Sequence, residues 1–476
     1  MLETKIWSSE QLLDALNRQK ALFKKEGSPD WASRKEKLKK LLTLVTKHES
    51  EISKAISQDF GNRHEIENQL GDFIVVQAGI KHLLKHGKQW MKPHAVEIDM
   101  QYWPSTGYIQ PQAIGTVGVI APWNYPFHLA ILPVAVAVAA GNRVMLKPSD
   151  LTPRTSTVIE KLIAEYFDKD DIAVVNGDVD VARAFSELPF DHLFFTGSTS
   201  VGRLVAQAAA KNLTPVTLEL GGKSPVILDD SADLALAAKR IAFTKLFNCG
   251  QTCVAPDYVL VPEGKKEQFI DLMVKSIKEM YPEIQDNPDY TSIINDHHYQ
   301  RVMGLVRDAK DKCDRIIAVG DHESAQLQMN RKPAPTLVIE PRPDASIMQE
   351  EIFGPLMPIL GYSSIDQAID YINDGARPLA LYFFGKDNNN RKAVLNRTIS
   401  GGVTINDCMW HVGQENLPFG GVGDSGMGAY HGKTGFDLFT KDKPVFVQSR
   451  FSTLKLLFPP YGGLAQSIVK IVKKLL

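Results

Sequence analysis

The chain has 476 residues, of which 44% are hydrophobic and 23% charged, and its formal net charge is -1. Those proportions exclude a disordered chain, and the near-neutral balance argues against a nucleic-acid partner held through phosphate contacts. The length exceeds one ordinary core and predicts two or three domains.

No apolar stretch follows Met1-Leu2-Glu3-Thr4-Lys5, so no secretory signal is expected. Leu38, Leu41, Leu42 and Val45 recur at helical spacing among Lys and Arg, and Gly61-Asn62 marks the end of that helical block. Beyond Pro93, residues 96–100 and 107–109 have strand character. Pro104-Ser105-Thr106-Gly107 lies between them as a hairpin turn.

From Gly115 strand-like runs at 116–121, 143–147, 172–175, 192–196 and 216–218 alternate with helical patterns near 127–140, 155–167, 178–187 and 200–211. This order predicts an α/β fold with a doubly wound parallel sheet. The stretch 127–140 is the nearest approach to a membrane span. It is too short and contains Pro133, so it reads as a buried helix. Near the C-terminus, Leu464, Ile468, Ile471, Val472 and Leu475 alternate with Lys470, Lys473 and Lys474 as a short basic amphipathic helix. Its expected place is with the apolar side packed on the protein body; weak contact with a membrane surface is the alternative. The four cysteines, Cys249, Cys253, Cys313 and Cys408, are too few for a disulfide framework and point to a reducing cytoplasm.

Doubly wound sheets bind ligands beyond the carboxyl ends of their strands. Four polar signatures fall there: Pro122-Trp123-Asn124-Tyr125-Pro126, Lys147-Pro148-Ser149-Asp150, Thr196-Gly197-Ser198 and Glu219-Leu220-Gly221-Gly222. The segment Asn248-Cys249-Gly250-Gln251-Thr252-Cys253 places a cysteine among small polar residues, with Glu219 upstream beside two glycines. A nucleophile and a base next to flexible backbone suit covalent catalysis. Cys253 read alone is equally a small buried hydrophobe. Asn124 alone reads as a turn residue, Glu219 as a solvated strand end, and Glu351 as a surface acid beside Glu350. The run from Phe195 to Gly202 suits a pyrophosphate at a helix N-terminus, although it is not G-x-G-x-x-G. Gly222-Lys223-Ser224 is not a P-loop, because Thr217 stands where a glycine is required. His297-His298 are adjacent and point apart, and no metal site is expected.

The motifs occur in a recognisable order. Pro122-Trp123-Asn124, Lys147-Pro148-Ser149, Phe195 to Gly202, Glu219 to Gly222, Gly250-Gln251-Thr252-Cys253, Glu350-Glu351-Ile352-Phe353-Gly354-Pro355 and Pro418-Phe419-Gly420-Gly421 follow one another along the chain. Over nearly its whole length the chain resembles an NAD(P)-dependent aldehyde dehydrogenase. The run from Phe419 to Lys433 and Phe458-Pro459-Pro460-Tyr461-Gly462 resemble the class 3 group. Asn287 to Asn295 and Val254 to Tyr258 resemble its coniferyl aldehyde dehydrogenases.

The resemblance implies an α/β coenzyme domain (1–94 and 112–219), an α/β catalytic domain (220–418), a small β oligomerisation arm (95–111 and 442–450) and a tail (451–476). It implies that Cys253 attacks the aldehyde, that Asn124 donates to the oxyanion, and that Glu219 activates water. Lys147 would reach the adenine ribose, Ser198 the pyrophosphate and Glu351 the nicotinamide ribose, with Phe353 beside the ring. Trp123, Gly197, Gly202 and Leu220 complete the expected cofactor contacts. Asp150 stands where many relatives carry Glu; an acid there favours NAD, with NADP admissible. A homodimer and an apolar or aromatic aldehyde are also implied, with Tyr125, Phe127, Trp410 and Phe419 as candidate pocket walls. Medium- or long-chain aliphatic aldehydes, acyl transfer to CoA, and a catalytically silent NAD-binding protein are the alternatives.

Overall fold

The apolar runs after Gly115 form a six-stranded sheet in the order Gly426–Met427, Val216–Glu219, His192–Thr196, Thr116–Ile120, Arg143–Lys147, Ile172–Val174. Neighbours are parallel except at the edge, where Gly426 lies opposite Glu219. The computed structural model describes residues 7–321, 324–451 and 453–475, so the reading of residues 1–5 lies outside it. The connecting helices are His128–Ala140, Pro153–Tyr166, Val179–Ser186 and Thr199–Ala210, in the predicted alternation. The chain winds outward from Thr116–Ile120 to Ile172–Val174, then returns to lay His192–Thr196 on the opposite side. The order reverses between those two central strands, so a crevice opens beyond their carboxyl ends.

Helix His128–Ala140 is apolar on every side and buried along its whole length. Helix Trp31–Phe60 buries Leu38, Leu41 and Val45 against the same core. Asp30 caps its start, and Gly61, at φ 85°, ends it in a conformation that costs glycine little.

A second sheet has seven strands in the order Arg315–Ala318, Thr336–Ile339, Leu356–Tyr362, Tyr258–Pro262, Pro225–Leu228, Ala380–Phe384, Gly402–Ile405. It is parallel apart from its first pair. Central strands such as Tyr258–Pro262 and Ala380–Phe384 are buried throughout, as a parallel sheet covered on both faces requires.

A third sheet stands apart. His94–Val96 pairs with Thr106–Ala113, which pairs along its whole length with Thr440–Val447. The hairpin is present, but the strand expected at 96–100 ends at Val96, and Met100–Tyr102 is a 3-10 turn. Ile98 leaves the ladder to pack over Gly107, where a Cβ would fall 2.4 Å from its side chain, and its carbonyl accepts from the Trp103 indole.

The amphipathic helix spans Gly463–Leu475. Its expected packing on the body is only partial. Ala465 is buried and Ile468 and Val472 are half-buried, but Leu464, Val469 and Ile471 on the two flanks of the apolar face stay exposed. The flanks are open because the apolar face is wider than the surface that receives it. Among the described residues no helix is long and apolar enough to cross a membrane.

Candidate active site

The crevice at the sheet's reversal point is a cleft of about 1250 Å³. Its wall carries Asn124, Glu219 and Cys253, which come from a strand-end turn, a strand end and a loop far apart in sequence. Trp123, Gly197, Ser198, Leu220, Glu351 and Phe353 line the same space. Three expected cofactor residues do not. Lys147 is buried at its strand end, where Nζ donates to the Pro148 carbonyl at 2.8 Å. Asp150 is exposed at the surface. Gly202 sits behind the wall, where a Cβ would fall 2.6 Å from Leu220; its lack of a side chain lets helix Thr199–Ala210 approach the 219–222 loop.

The cysteine loop is held in an uncommon backbone. Asn248 and Cys249 both have φ 53°, in the left-handed region that non-glycine residues seldom occupy, and Gly250 follows at φ 76°. Side chains fix that shape. Asn248 Nδ2 donates to the backbone carbonyls of Asn124 and Gln251, each at 3.0 Å. Gln251 Nε2 donates to the Ser292 carbonyl at 3.1 Å, while its Oε1 accepts from the Ile294 N–H at 3.0 Å. The Thr252 and Tyr125 hydroxyls share a 2.6 Å hydrogen bond. Asn124 Nδ2 donates to the Gln251 carbonyl at 3.2 Å, which leaves its second amide hydrogen for another acceptor.

The titratable groups are set by burial. Both carboxyl oxygens of Glu219 are buried without a hydrogen-bond partner, and burial raises its pKa well above the usual carboxylate range. Burial, then the nearby Glu351 and Glu219 charges, push the Cys253 thiol up to about 12. Cys249 is likewise raised to about 12 by burial. All four cysteines are free thiols. Burial raises Glu351 to about 8, with Asp257 adding to the effect. Burial lowers the Lys147 pKa, opposed by Asp150 and Asp178.

Residues that the sequence reading assigned no role fix the Glu350–Pro355 motif. Lys223 Nζ pairs with Asp257 and donates to the Ile347 and Glu350 carbonyls. Asp257 Oδ2 in turn accepts from the Ile352 N–H at 3.0 Å, and Arg301 donates to the Glu351 and Ile352 carbonyls. Lys223 thus serves as an anchor in an ion pair, consistent with rejecting a P-loop. Phe353, at φ 46°, packs edge-on against Trp123 with ring centroids 5.4 Å apart. Of the candidate pocket aromatics, Phe127 is core against Phe73, Phe419 stacks on His431, and Trp410 is half exposed. None of these, nor Tyr125, lines the cleft; Leu129 does.

The family model described as the aldehyde dehydrogenase family matches residues 2–445. The chain belongs to the aldehyde dehydrogenase family. This aldehyde dehydrogenase is 45% identical to the coniferyl aldehyde dehydrogenase of Pseudomonas sp. (strain HR199), over 98% of this chain and 96% of that protein. It is 43% identical to the 4,4'-diaponeurosporen-aldehyde dehydrogenase of Staphylococcus aureus, over 93% and 95% respectively. A solved structure of the substrate-bound state of Staphylococcus aureus AldH superposes with a TM-score of 0.91 at 42% identity, covering 96% of this chain and 99% of that one. Like its family, this aldehyde dehydrogenase is an NAD(P)-dependent oxidoreductase. The cleft fits that cofactor. Ser198 caps the helix Thr199–Ala210, whose N-terminus supplies N–H groups and positive dipole for a pyrophosphate, and an ordered acid and aromatic, Glu351 and Phe353, face the same space.

Proposed function

We propose that this aldehyde dehydrogenase oxidises apolar and aromatic aldehydes, coniferyl aldehyde among them, to carboxylic acids, with Cys253 as nucleophile, Asn124 as oxyanion donor and Glu219 as base. The observation that carries this is the convergence of those three side chains on one cleft wall, beside Ser198 and Glu351. The name of the Pseudomonas relative supports the aromatic substrate. The name of the Staphylococcus relative supports an apolar aldehyde of greater length.

The Cys253 thiol, raised to about 12, loses its proton to solvent in the cleft, and the thiolate adds to the carbonyl, giving a thiohemiacetal on its own sulfur. The free amide hydrogen of Asn124 and the Cys253 N–H meet the oxyanion; one such fixed donor contributes about 3 kcal/mol. NAD(P), when bound, would supply the hydride acceptor; Ser198 would hold its pyrophosphate and Glu351 a ribose. Collapse of the oxyanion re-forms the C=O as the C–H bond breaks and its hydrogen leaves as hydride, which gives an acyl thioester on Cys253. Glu219 takes a proton from water that attacks this thioester, releasing the acid and the thiolate. Burial raises the pKa of its unpartnered carboxyl, and the ionised form is the one that acts as base.

We further divide the chain into a coenzyme domain (1–94 and 112–219), a catalytic domain (220–418), an arm (95–111 and 442–450) and a tail (451–476). Two arms meet in a homodimer, a reading supported by the exposed apolar side chains Val96, Trp103 and Phe446 on this small sheet. The free thiols support a reducing cytoplasm.

The test is NADH formation with a panel of aldehydes from acetaldehyde to cinnamaldehyde types and long alkanals, with and without CoA. Apolar area contributes about 25 cal/mol per Å², so a ring should gain a few kcal/mol in kcat/KM over a methyl group. Acetaldehyde equal to every aldehyde of six or more carbons would sink the apolar-substrate reading. A strict requirement for CoA would replace hydrolysis by acyl transfer.

A further inference from the structure

The helix that begins at Glu65 is interrupted by a π-helical turn, Gln69–Phe73, before continuing as Ile74–Trp90. Such turns are uncommon and recur at functional sites. Glu67 and Asp72, five residues apart, would lie about 140° apart around a regular α-helix. The widened turn brings both toward the catalytic loops, together with Arg63 just before the helix.

Each of these three charged side chains is buried, and each binds backbone of a segment that carries or adjoins a catalytic residue. Glu67 Oε1 accepts from the Asn248 N–H at 3.1 Å, at the first of the two left-handed residues, and its Oε2 accepts from the Thr291 hydroxyl. Arg63 donates to the Asn124 carbonyl at 3.2 Å, and its guanidinium lies 4.8 Å from the centroid of the Tyr125 ring. Tyr125 holds Thr252, the neighbour of Cys253. Asp72 pairs with Arg63 at 3.1 Å, both side chains fully buried, and its Oδ1 accepts from the Phe127 and His128 N–H groups at 3.2 and 2.9 Å. Those N–H groups open the helix that follows the Asn124 turn.

Removing three charges from water is costly, and a hydrophobic substitute of equal volume is often no less stable. Stability alone is therefore a weak reason for this cluster. Apart from the Glu67–Thr291 contact and the Arg63–Asp72 pair, the hydrogen bonds described above end on the two segments that carry Asn124 and Cys253, and none of the three side chains lines the cleft. We infer that Arg63, Glu67 and Asp72 are positioning residues that set the distance between the Asn124 amide and the Cys253 sulfur. Glu67 holds the left-handed bend before the nucleophile, and Arg63, anchored by Asp72, holds the Asn124 turn. This inference rests on the assignment of Cys253 and Asn124 made above.

The experiment uses full-length Glu67→Ala, Glu67→Gln and Arg63→Lys, with Cys253→Ala as reference. Each folded variant is assayed for kcat, for KM of NAD and of aldehyde, and for the rate at which iodoacetamide alkylates Cys253. A misplacement of about 1 Å far from the reacting atoms can lower a rate about 10²-fold. Glu67→Ala should lose kcat on that scale, with a changed alkylation rate and little change in KM for NAD. Glu67→Gln, which keeps the acceptor for the Asn248 N–H, should recover most of the loss. Arg63→Lys, which keeps the charge but not the fork, should fall between them. Glu67→Ala with unchanged kcat and alkylation, or Glu67→Gln no better than Glu67→Ala, would overturn the inference. If Glu67→Ala fails to fold, Glu67→Gln and Arg63→Lys decide alone: wild-type kcat and alkylation in Arg63→Lys overturns it. An active Cys253→Ala would instead remove the assignment on which it stands.

Discussion

Gly221 and Glu351 touch so closely that a Cβ on Gly221 would fall 2.0 Å from Glu351 Oε2. The glycine after Glu219-Leu220 therefore makes room for the acid expected to hold the nicotinamide ribose. The displaced atoms in Gly221→Ala are the far end of a flexible side chain, so this variant should fold with little change in thermal midpoint. A hydrogen bond to a charged group contributes about 1.5–3 kcal/mol, so kcat/KM for NAD should fall about 10- to 100-fold. Steady-state kinetics at saturating aldehyde check this, and an unchanged kcat/KM would free Glu351 of the role.

Glu219 should show itself in the pH dependence of stability. Its folded-state pKa is raised by burial, so the stability tied to its neutral form is complete below the unfolded-state pKa, about 4.3. That stability is lost as the pH rises toward the folded-state pKa, because the unfolded chain releases the proton and the native one keeps it. Glu219→Gln has no such proton. The variant's thermal midpoint should therefore gain on the wild type as the pH rises above about 4.3, read as roughly 1.4 kcal/mol per pH unit at most. The same variant should keep a single-turnover burst of NADH while steady turnover falls. A constant gap in midpoint together with full turnover contradicts both expectations.

Cys253, raised to about 12 without bound cofactor, should react with iodoacetamide at a rate that still climbs at pH 10. A plateau near pH 7 would show an activated thiolate at rest. Cys253→Ala should abolish oxidation. Cys249→Ala should keep most of it, since Cys249 is fully buried beside Tyr290 and does not line the cleft.

The strands and helices between residues 116 and 219 were legible because each run has one dominant period and ends at a polar signature. The motifs of the cleft were legible for the same reason: Asn124, Glu219 and Ser198 follow directly on strand ends. Arg63, Glu67 and Asp72 were not, because a charged residue in a helical segment reads as a solvated face unless a partner distant in sequence is known. The π-helical turn that aims them leaves no trace in hydrophobic spacing. Lys223 was seen only as a failed phosphate motif, since its partner Asp257 lies far along the chain, just before strand Tyr258–Pro262. The strand end at Val96 was missed because Ile98 looks like a continuing strand residue until Gly107 offers it a place to pack. The tail's amphipathic spacing gave its helix correctly but overstated how much of the apolar face the body would cover.

Coenzyme choice should favour NAD over NADP. Asp150 is exposed just beyond the strand that ends at Lys147, outside the cleft lining, and a carboxylate there would repel a 2′-phosphate that reached it. Asp150→Ser should narrow the ratio of kcat/KM values for the two coenzymes. A wild type that prefers NADP overturns this reading.

The light-scattering mass at micromolar concentration should be twice that of a 52.8 kDa chain. Phe446 is half exposed on the outer strand of the arm, and Phe446→Glu should shift the mass toward the single chain without unfolding it. A single-chain mass for the wild type removes the dimer.

The pairing of Thr106–Ala113 with Thr440–Val447 also carries a consequence for biosynthesis. The inner strand of the arm leaves the ribosome long before its partner. At 5–20 residues per second, the intervening chain takes roughly 15–65 s to make. Throughout that time Thr106–Ala113 offers one open edge to any neighbouring strand. Pro111 sits within it and has no N–H to donate. The sheet closes only after Thr440–Val447 has been made, so any assembly built on it is reserved for chains in which every residue lining the cleft has already been made.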